Sequence, residues 1–381
     1  MIGPYAFKLF ANPRAGTPGL VVLPDRGFRR ARAAITGWTD YVPTPLHLLP
    51  TIATRAGVAK VGLKDEAGRF GLGSFKALGG AYAVAMLLAN EFSRARTAPA
   101  DITVTCATDG NHGRAVAWGA HRLGCRCVVF VHETVSQGRV DAIAAYDAEV
   151  RRLPGTYDDA VREADRVAHI ENWFVVSDTS RPGYTEIPRD IMQGYRLMAE
   201  EAADQWQGAQ PTHVFIQGGV GGVAAAVSAQ MRARYRPVSK LPAPKIIVVE
   251  PDKAACLLAS AELGAPTAVP GNLDTMMAGL ACGEPSLLAW QELERGATAF
   301  MAVPDDAAIA CMKLLAALGI VSGESGVAGL AGFLLAAGNP AARETLSLGP
   351  ESRVLLFSTE GATDPALYAR LIGPSTTPAL P

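Results

Sequence analysis

Lys76 stands in Gly71-Leu-Gly-Ser74-Phe-Lys76-Ala-Leu-Gly-Gly80, a Gly/Ser-rich turn that opens a predicted helix over 77–88. An amine so placed could contact a phosphate. In an apolar pocket that lowers its pKa, it could instead form a Schiff base with a carbonyl. An ordinary lysine at a helix start is the third reading, and the Gly-x4-Gly-Lys-Ser/Thr order of a P-loop is absent. A second polar turn, Ala107-Thr108-Asp109-Gly110-Asn111-His112-Gly113, lies between a predicted strand and a predicted helix. Open α/β sheets bind ligands at that edge, and backbone N–H groups there favour a carboxylate or phosphate. Asp109 and Asn111 also suit capping and turn roles, and His112 a structural hydrogen bond. Gln217-Gly218-Gly219-Val220-Gly221-Gly222 repeats the strand-to-helix context with a backbone able to wrap an anion. It lacks the third spaced glycine of a dinucleotide fingerprint, and a tight turn would use the same residues. Phe357-Ser358-Thr359-Glu360-Gly361 follows the last predicted strand, where a hydroxyl could hydrogen-bond a heteroatom of a bound ring.

Short β-rich runs alternating with longer helical stretches must position these turns. Strands are predicted over 102–108, 127–132, 149–153, 173–177, 213–217, 245–250 and 353–358, with helices over 113–123, 157–169 and 222–235. That alternation predicts an α/β protein with parallel sheets in βαβ connections. Polar breaks at 91–101 and 207–211 suggest a small inserted domain, 98–207, within a large one made of 1–97 plus 208–381. A Pro/Thr-rich tail at 373–381 is predicted to be disordered.

Composition excludes several classes. Of 381 residues, 49% are hydrophobic and 19% charged, which is the balance of a globular α/β chain rather than a disordered one. Lys and Arg total 35 against 36 Asp and Glu, so no basic surplus supports a nucleic-acid groove or an anionic-membrane surface. Mean hydropathy is high at +0.16, yet Lys313 interrupts the apolar run 307–321 and the run 326–338 is too short to span a bilayer. Both are expected as buried helices. With no charged n-region before an apolar core at the N-terminus, a cytoplasmic location is expected. Cys106, Cys125, Cys127, Cys256, Cys282 and Cys311 include no Cys-x-x-Cys pair, the histidines show no ligand spacing, and no metal is expected.

The four turns, in this order, resemble the fold-type II pyridoxal-phosphate enzymes, the class of the tryptophan synthase β-chain and the threonine dehydratases. Closer still, the chain is similar to the diaminopropionate ammonia-lyase family. The stretches that carry this are Lys64-Asp-Glu, Gly-Ser-Phe-Lys76, Ala-Thr-Asp-Gly-Asn-His-Gly, Tyr184-Thr-Glu-Ile-Pro, Ile-Met-Gln-Gly-Tyr195, Val249-Glu-Pro-Asp-Lys253, Met277-Ala-Gly-Leu-Ala-Cys-Gly-Glu-Pro285 and Ser358-Thr-Glu-Gly. They run from about residue 60 to 365, most of the chain. The resemblance implies two parallel-sheet αβα domains, the larger binding the cofactor.

It also implies roles. Lys76 would hold pyridoxal 5′-phosphate covalently, with Asn111 at the 3′-oxygen of its ring. Gly218, Gly219, Val220, Gly221 and Gly222 would hold the phosphate, Ser358 or Thr359 would meet the ring nitrogen, and Glu324 would flank the ring. Ser74, Thr108, Asp109, Gly110 and His112 would face a small amino-acid substrate. Asp109, where the dehydratases usually carry serine, would be one base at the substrate Cα or the anchor of a second ammonium. Such a carboxylate and cation about 4 Å apart attract by roughly 4 kcal/mol at an effective dielectric near 20. Asp178 would be a second base from the opposite face, although a cap or turn role also suits it. The implied reaction is α,β-elimination of a 2-amino-3-substituted acid, chiefly 2,3-diaminopropionate to pyruvate and ammonia, by a homodimer. A β-replacement synthase, another β-substituted substrate and a non-catalytic binding protein remain as alternatives. Arg181-Pro182 departs from the family pattern and suggests a cation for an extra substrate carboxylate. Cys256 and Cys282 match positions that pair as a disulfide in the family.

Overall fold

The computed structural model describes residues 2–108, 110–235 and 242–373, apart from the side chain of Asp158; the predicted tail beyond 373 lies outside the described residues. The strands are β1 (Lys8–Ala11), β2 (Leu46–Leu48), β3 (Lys60–Asp65), β4 (Thr103–Ala107), β5 (Arg126–His132), β6 (Glu149–Leu153), β7 (Phe174–Val175), β8 (His213–Gln217), β9 (Lys245–Pro251), β10 (Ala299–Val303) and β11 (Arg353–Ser358). They form two sheets. Seven strands run in the order β1-β10-β9-β8-β11-β3-β2, and four in the order β6-β5-β4-β7. The smaller sheet is parallel throughout. In the larger, β10, β9, β8, β11 and β3 are parallel while both edge strands, β1 and β2, are antiparallel. Apolar runs explain the centre: all of β8 and β10 is buried, as for strands covered on both faces.

Each sheet contains a reversal of strand order. In the larger sheet β8 lies between β9 and β11, and in the smaller β4 lies between β5 and β7. Ligand crevices open at the carboxyl ends of strands at such reversals. The glycine run follows β8, Ser358 ends β11, and the Lys76 loop follows β3. The turn 108–112 follows β4 and Asp178 follows β7. Topology alone therefore gathers the predicted chemistry at the carboxyl ends of strands in the two sheets.

Helix packing sharpens that placement. Helix Ala77–Ala95 meets helix Glu186–Gln205 backbone to backbone, because a Cβ at Gly194 would strike the Leu78 carbonyl. A buried ion network ties the same helix to the end of β3: Lys64 and Arg69 each reach Glu201 at 2.7 Å, and Arg69 reaches Glu66 at 2.8 Å. The polar break at 91–101 begins inside a helix. Helix Ala77–Ala95 continues through its first half, where Glu91 and Arg94 pair at 2.7 Å three residues apart, so charged letters mark a solvated helix face. The two long apolar runs are helices Asp305–Ala316 and Ala328–Ala337, the second fully buried. Among the described residues no helix is long and apolar enough to cross a membrane.

Candidate active site

Lys76 is the residue before helix Ala77–Ala95, and its loop is stitched to the turn after β11. Phe75 N–H donates to the Thr359 carbonyl at 3.1 Å, Gly361 N–H donates to that of Gly73 at 2.9 Å, and Ser74 bridges Glu360. The Lys76 amine lies 2.5 Å from Asp178 Oδ2, with both side chains largely buried. Burial pulls the lysine pKa down, but the Asp178 carboxylate, with smaller help from Tyr195 and Cys282, outweighs it and the net direction is up. Burial likewise opposes ionisation of Asp178, and Lys76 reverses the sign, leaving the carboxylate below its usual range. The reading of a lysine made neutral by an apolar pocket is thus corrected, since the pocket supplies its own counter-ion.

The turn after β4 is organised by Thr108, whose hydroxyl oxygen accepts N–H bonds from Gly110 at 2.9 Å and Gly113 at 3.1 Å. Asp109 lies outside the described residues. His112 donates from Nε2 to the Val176 carbonyl at 2.8 Å, and burial lowers its pKa, so the ring is neutral. Asn111 Nδ2 donates to Glu360 Oε2 at 2.5 Å, and Ser325 N–H donates to Glu360 Oε1 at 3.0 Å. Glu324 sits beside Glu360 and pairs with Arg139 at 3.1 Å. Burial first, then the Glu360 charge, pushes its pKa up to about 7.

Gly221, at φ +98°, turns the chain into helix Gly222–Arg234 in the left-handed region, and a Cβ on Gly219 would stand 3.1 Å from Cys282 Sγ and 3.3 Å from the Gly279 carbonyl. The cup and the amine share one space: Cys282 also acts on Lys76, and a Cβ on Gly222 would lie 4.0 Å from the Asp178 carbonyl. Ser358 donates to Ser322 Oγ at 2.7 Å, and Thr359 Oγ1 accepts from Gln217 Nε2 at 2.6 Å, so both hydroxyls are buried and oriented at the base of the crevice. Cys256 and Cys282 are both thiols here, and Cys256 Sγ points to the Gly219 carbonyl at 3.7 Å; the pairing that the resemblance implies is not formed. Arg181 is half-exposed. Its guanidinium pairs with Asp165 at 2.7 Å and lies 5.4 Å from the Tyr184 ring centre, so its charge already has a carboxylate partner within the chain.

This space suits pyridoxal phosphate on its own terms. It offers a buried amine for the aldehyde, a cup closed by any Cβ at Gly219, a helix N-terminus for the phosphate and an oriented amide at Asn111. Residues 38–360 match the sequence profile of the family described as pyridoxal-phosphate dependent enzyme. The diaminopropionate ammonia-lyase of Escherichia coli (strain K12) is 41% identical over 352 residues, covering 87% of each chain. The chain belongs to the pyridoxal-phosphate-dependent family, among the diaminopropionate ammonia-lyases.

Solved structures agree with that membership. Holo diaminopropionate ammonia lyase from E. coli superposes with a TM-score of 0.89 at 37% identity, covering all of both chains. The same enzyme in complex with an aminoacrylate-PLP azomethine reaction intermediate gives 0.87 at 38% identity over 97% of each. The fold is fold type II of the pyridoxal-phosphate enzymes, and pyridoxal phosphate is the cofactor. Three contributors were not legible as site residues: Glu360, which holds Asn111; Arg139, which holds Glu324; and Tyr195, beside Lys76. Glu360 and Tyr195 do occur in the stretches that resemble the family, which is the one signal that could have singled them out.

Proposed function

We propose that this enzyme is a lyase that converts 2,3-diaminopropionate and water into pyruvate and two molecules of ammonia. The observation that carries the reading is the Lys76–Asp178 pair, a nucleophile and an ionised base in one buried crevice facing the glycine cup. Gly219 to Gly222 would hold the phosphate through backbone N–H groups at the helix N-terminus, with Gly218 fixing the start of the cup by donating its N–H to the Val249 carbonyl at 2.9 Å. Asn111, kept in orientation by Glu360, would meet the 3′-oxygen, and Ser358 or Thr359 would meet the ring nitrogen. When bound, pyridoxal phosphate supplies an electron sink for the charge left at the substrate Cα. The turn at Thr108–His112 receives the substrate carboxylate at the start of helix Asn111–Leu123. Asp178 takes the Cα proton of one enantiomer and Asp109 that of the other. Lys76 holds a proton between turnovers and returns as the amine that releases product.

Segment 98–207 is read as the smaller unit, with the four-stranded sheet inside it and helix Glu186–Gln205 docked on the larger one. A cytoplasmic homodimer belongs to the same proposal on the strength of the resemblance. The test is pyruvate release by the cofactor-loaded protein from D- and L-2,3-diaminopropionate, beside L-serine. Turnover of both diaminopropionate enantiomers is expected, and none with an intact cofactor spectrum would reject the substrate. Gly221→Ala tests the cup. A left-handed alanine costs about 1–2 kcal/mol, and its methyl would meet Ala289 Cβ and Leu257 Cδ2 at 3.1 Å. Relaxing that strain distorts the cup, so cofactor affinity should fall about tenfold, read as cofactor lost on dialysis.

A further inference from the structure

Tyr195 is buried, its hydroxyl has no hydrogen-bond partner among the described residues, and its ring centre lies 5.9 Å from the Lys76 amine. The position is built into the helix pair. Gly194 lets helix Glu186–Gln205 touch the Leu78 carbonyl, and Gly79, whose Cβ would collide with Tyr195 Cε1, leaves the recess that the ring fills. Phe75 then packs on the ring with centres 4.6 Å apart. Phenylalanine would fill the same recess without stranding a hydroxyl, which costs free energy when buried and unmatched. Burial also raises the Tyr195 pKa, so its oxygen is a neutral acceptor.

The groups beside it give that oxygen a task. Lys76 must lose a proton before its amine can attack a carbonyl, yet Asp178 holds it as an ammonium. We propose that Tyr195 is a positioning residue that accepts a hydrogen bond from the Lys76 amine and steers it off Asp178 for attack. The balance closes within the three residues. One ammonium proton passes to the Asp178 carboxylate, one of the two remaining N–H bonds donates to Tyr195 Oη, and the nitrogen lone pair is left facing the crevice. This rests on Lys76 being the cofactor lysine.

The experiment strips the full-length protein of cofactor and follows the visible-edge absorption band as pyridoxal phosphate is added back. Tyr195→Phe should form the band about tenfold more slowly than wild type, the scale of one hydrogen bond in the rate-limiting arrangement. Its final amplitude should match wild type, and the stripped variant should melt at or above the wild-type temperature. Slowing of less than threefold, or slowing with a lower melting temperature, would overturn the inference. Absence of the band in wild type would instead remove Lys76 as the cofactor lysine.

Discussion

Lys76→Ala should abolish the visible-edge band of the cofactor-loaded protein and lower pyruvate release by at least about 10³-fold. That scale follows because one substitution removes both a nucleophile and a proton carrier, and acid–base work alone contributes about 10²–10⁴-fold. The variant should also be less stable at neutral pH. Asp178 and Lys76 are both largely buried, and removing one partner of such a pair costs roughly 3–5 kcal/mol by stranding the other charge. Chemical denaturation measures this directly.

The pH dependence has a fixed sign. Asp178 is held below the ordinary carboxylate value of about 3.9, so its stabilisation is present above that pH and is lost as pH falls through the folded value. Lys76 is held above its ordinary value of about 10.4, so its share is present below that pH and lost as pH rises through the folded value. Between these limits the gap between wild type and Lys76→Ala should be level. It should narrow in acid, where Asp178 protonates in both proteins, and again in strong base, where Lys76 of the wild type loses its proton. A variant with near-normal turnover would refute the assignment of Lys76.

What the sequence reveals divides along a physical line. The interior strands β4, β5, β8, β9 and β11 are readable because each carries a β-branched or aromatic run between turn residues. β10, Ala-Phe-Met-Ala-Val, is poor in β-branched residues and has no such signature. β3 carries Gly62 and two lysines, and Lys64 reads as a surface residue although Glu201, far along the chain, keeps it buried. The same distinction applies in the site. Lys76, the turn 108–112 and the glycine run announce themselves through local spacing. The bond from Asn111 to Glu360 joins residues 249 apart, and Tyr195 reaches Lys76 only because two helices touch through glycines. Local chemistry is visible in letters, whereas pairings made by tertiary packing are not.

Asp178→Asn should separate the two tasks that the ion pair combines. Without its counter-ion the largest influence left on the Lys76 amine is burial, which lowers its pKa and favours the neutral form. Cofactor loading should therefore persist, with the absorption band intact. Turnover of one 2,3-diaminopropionate enantiomer should nonetheless fall by about 10²–10⁴-fold, the range for loss of a general base. Asp109→Asn should produce the complementary loss with the other enantiomer, and the double variant should process neither. Rates measured on each enantiomer separately decide the matter. An equal fall for both enantiomers in Asp178→Asn would mean that Asp178 acts only through Lys76. The crossed pattern arises only if two carboxylates address opposite faces of the same Cα, because a defect in cofactor binding or folding would slow both enantiomers alike.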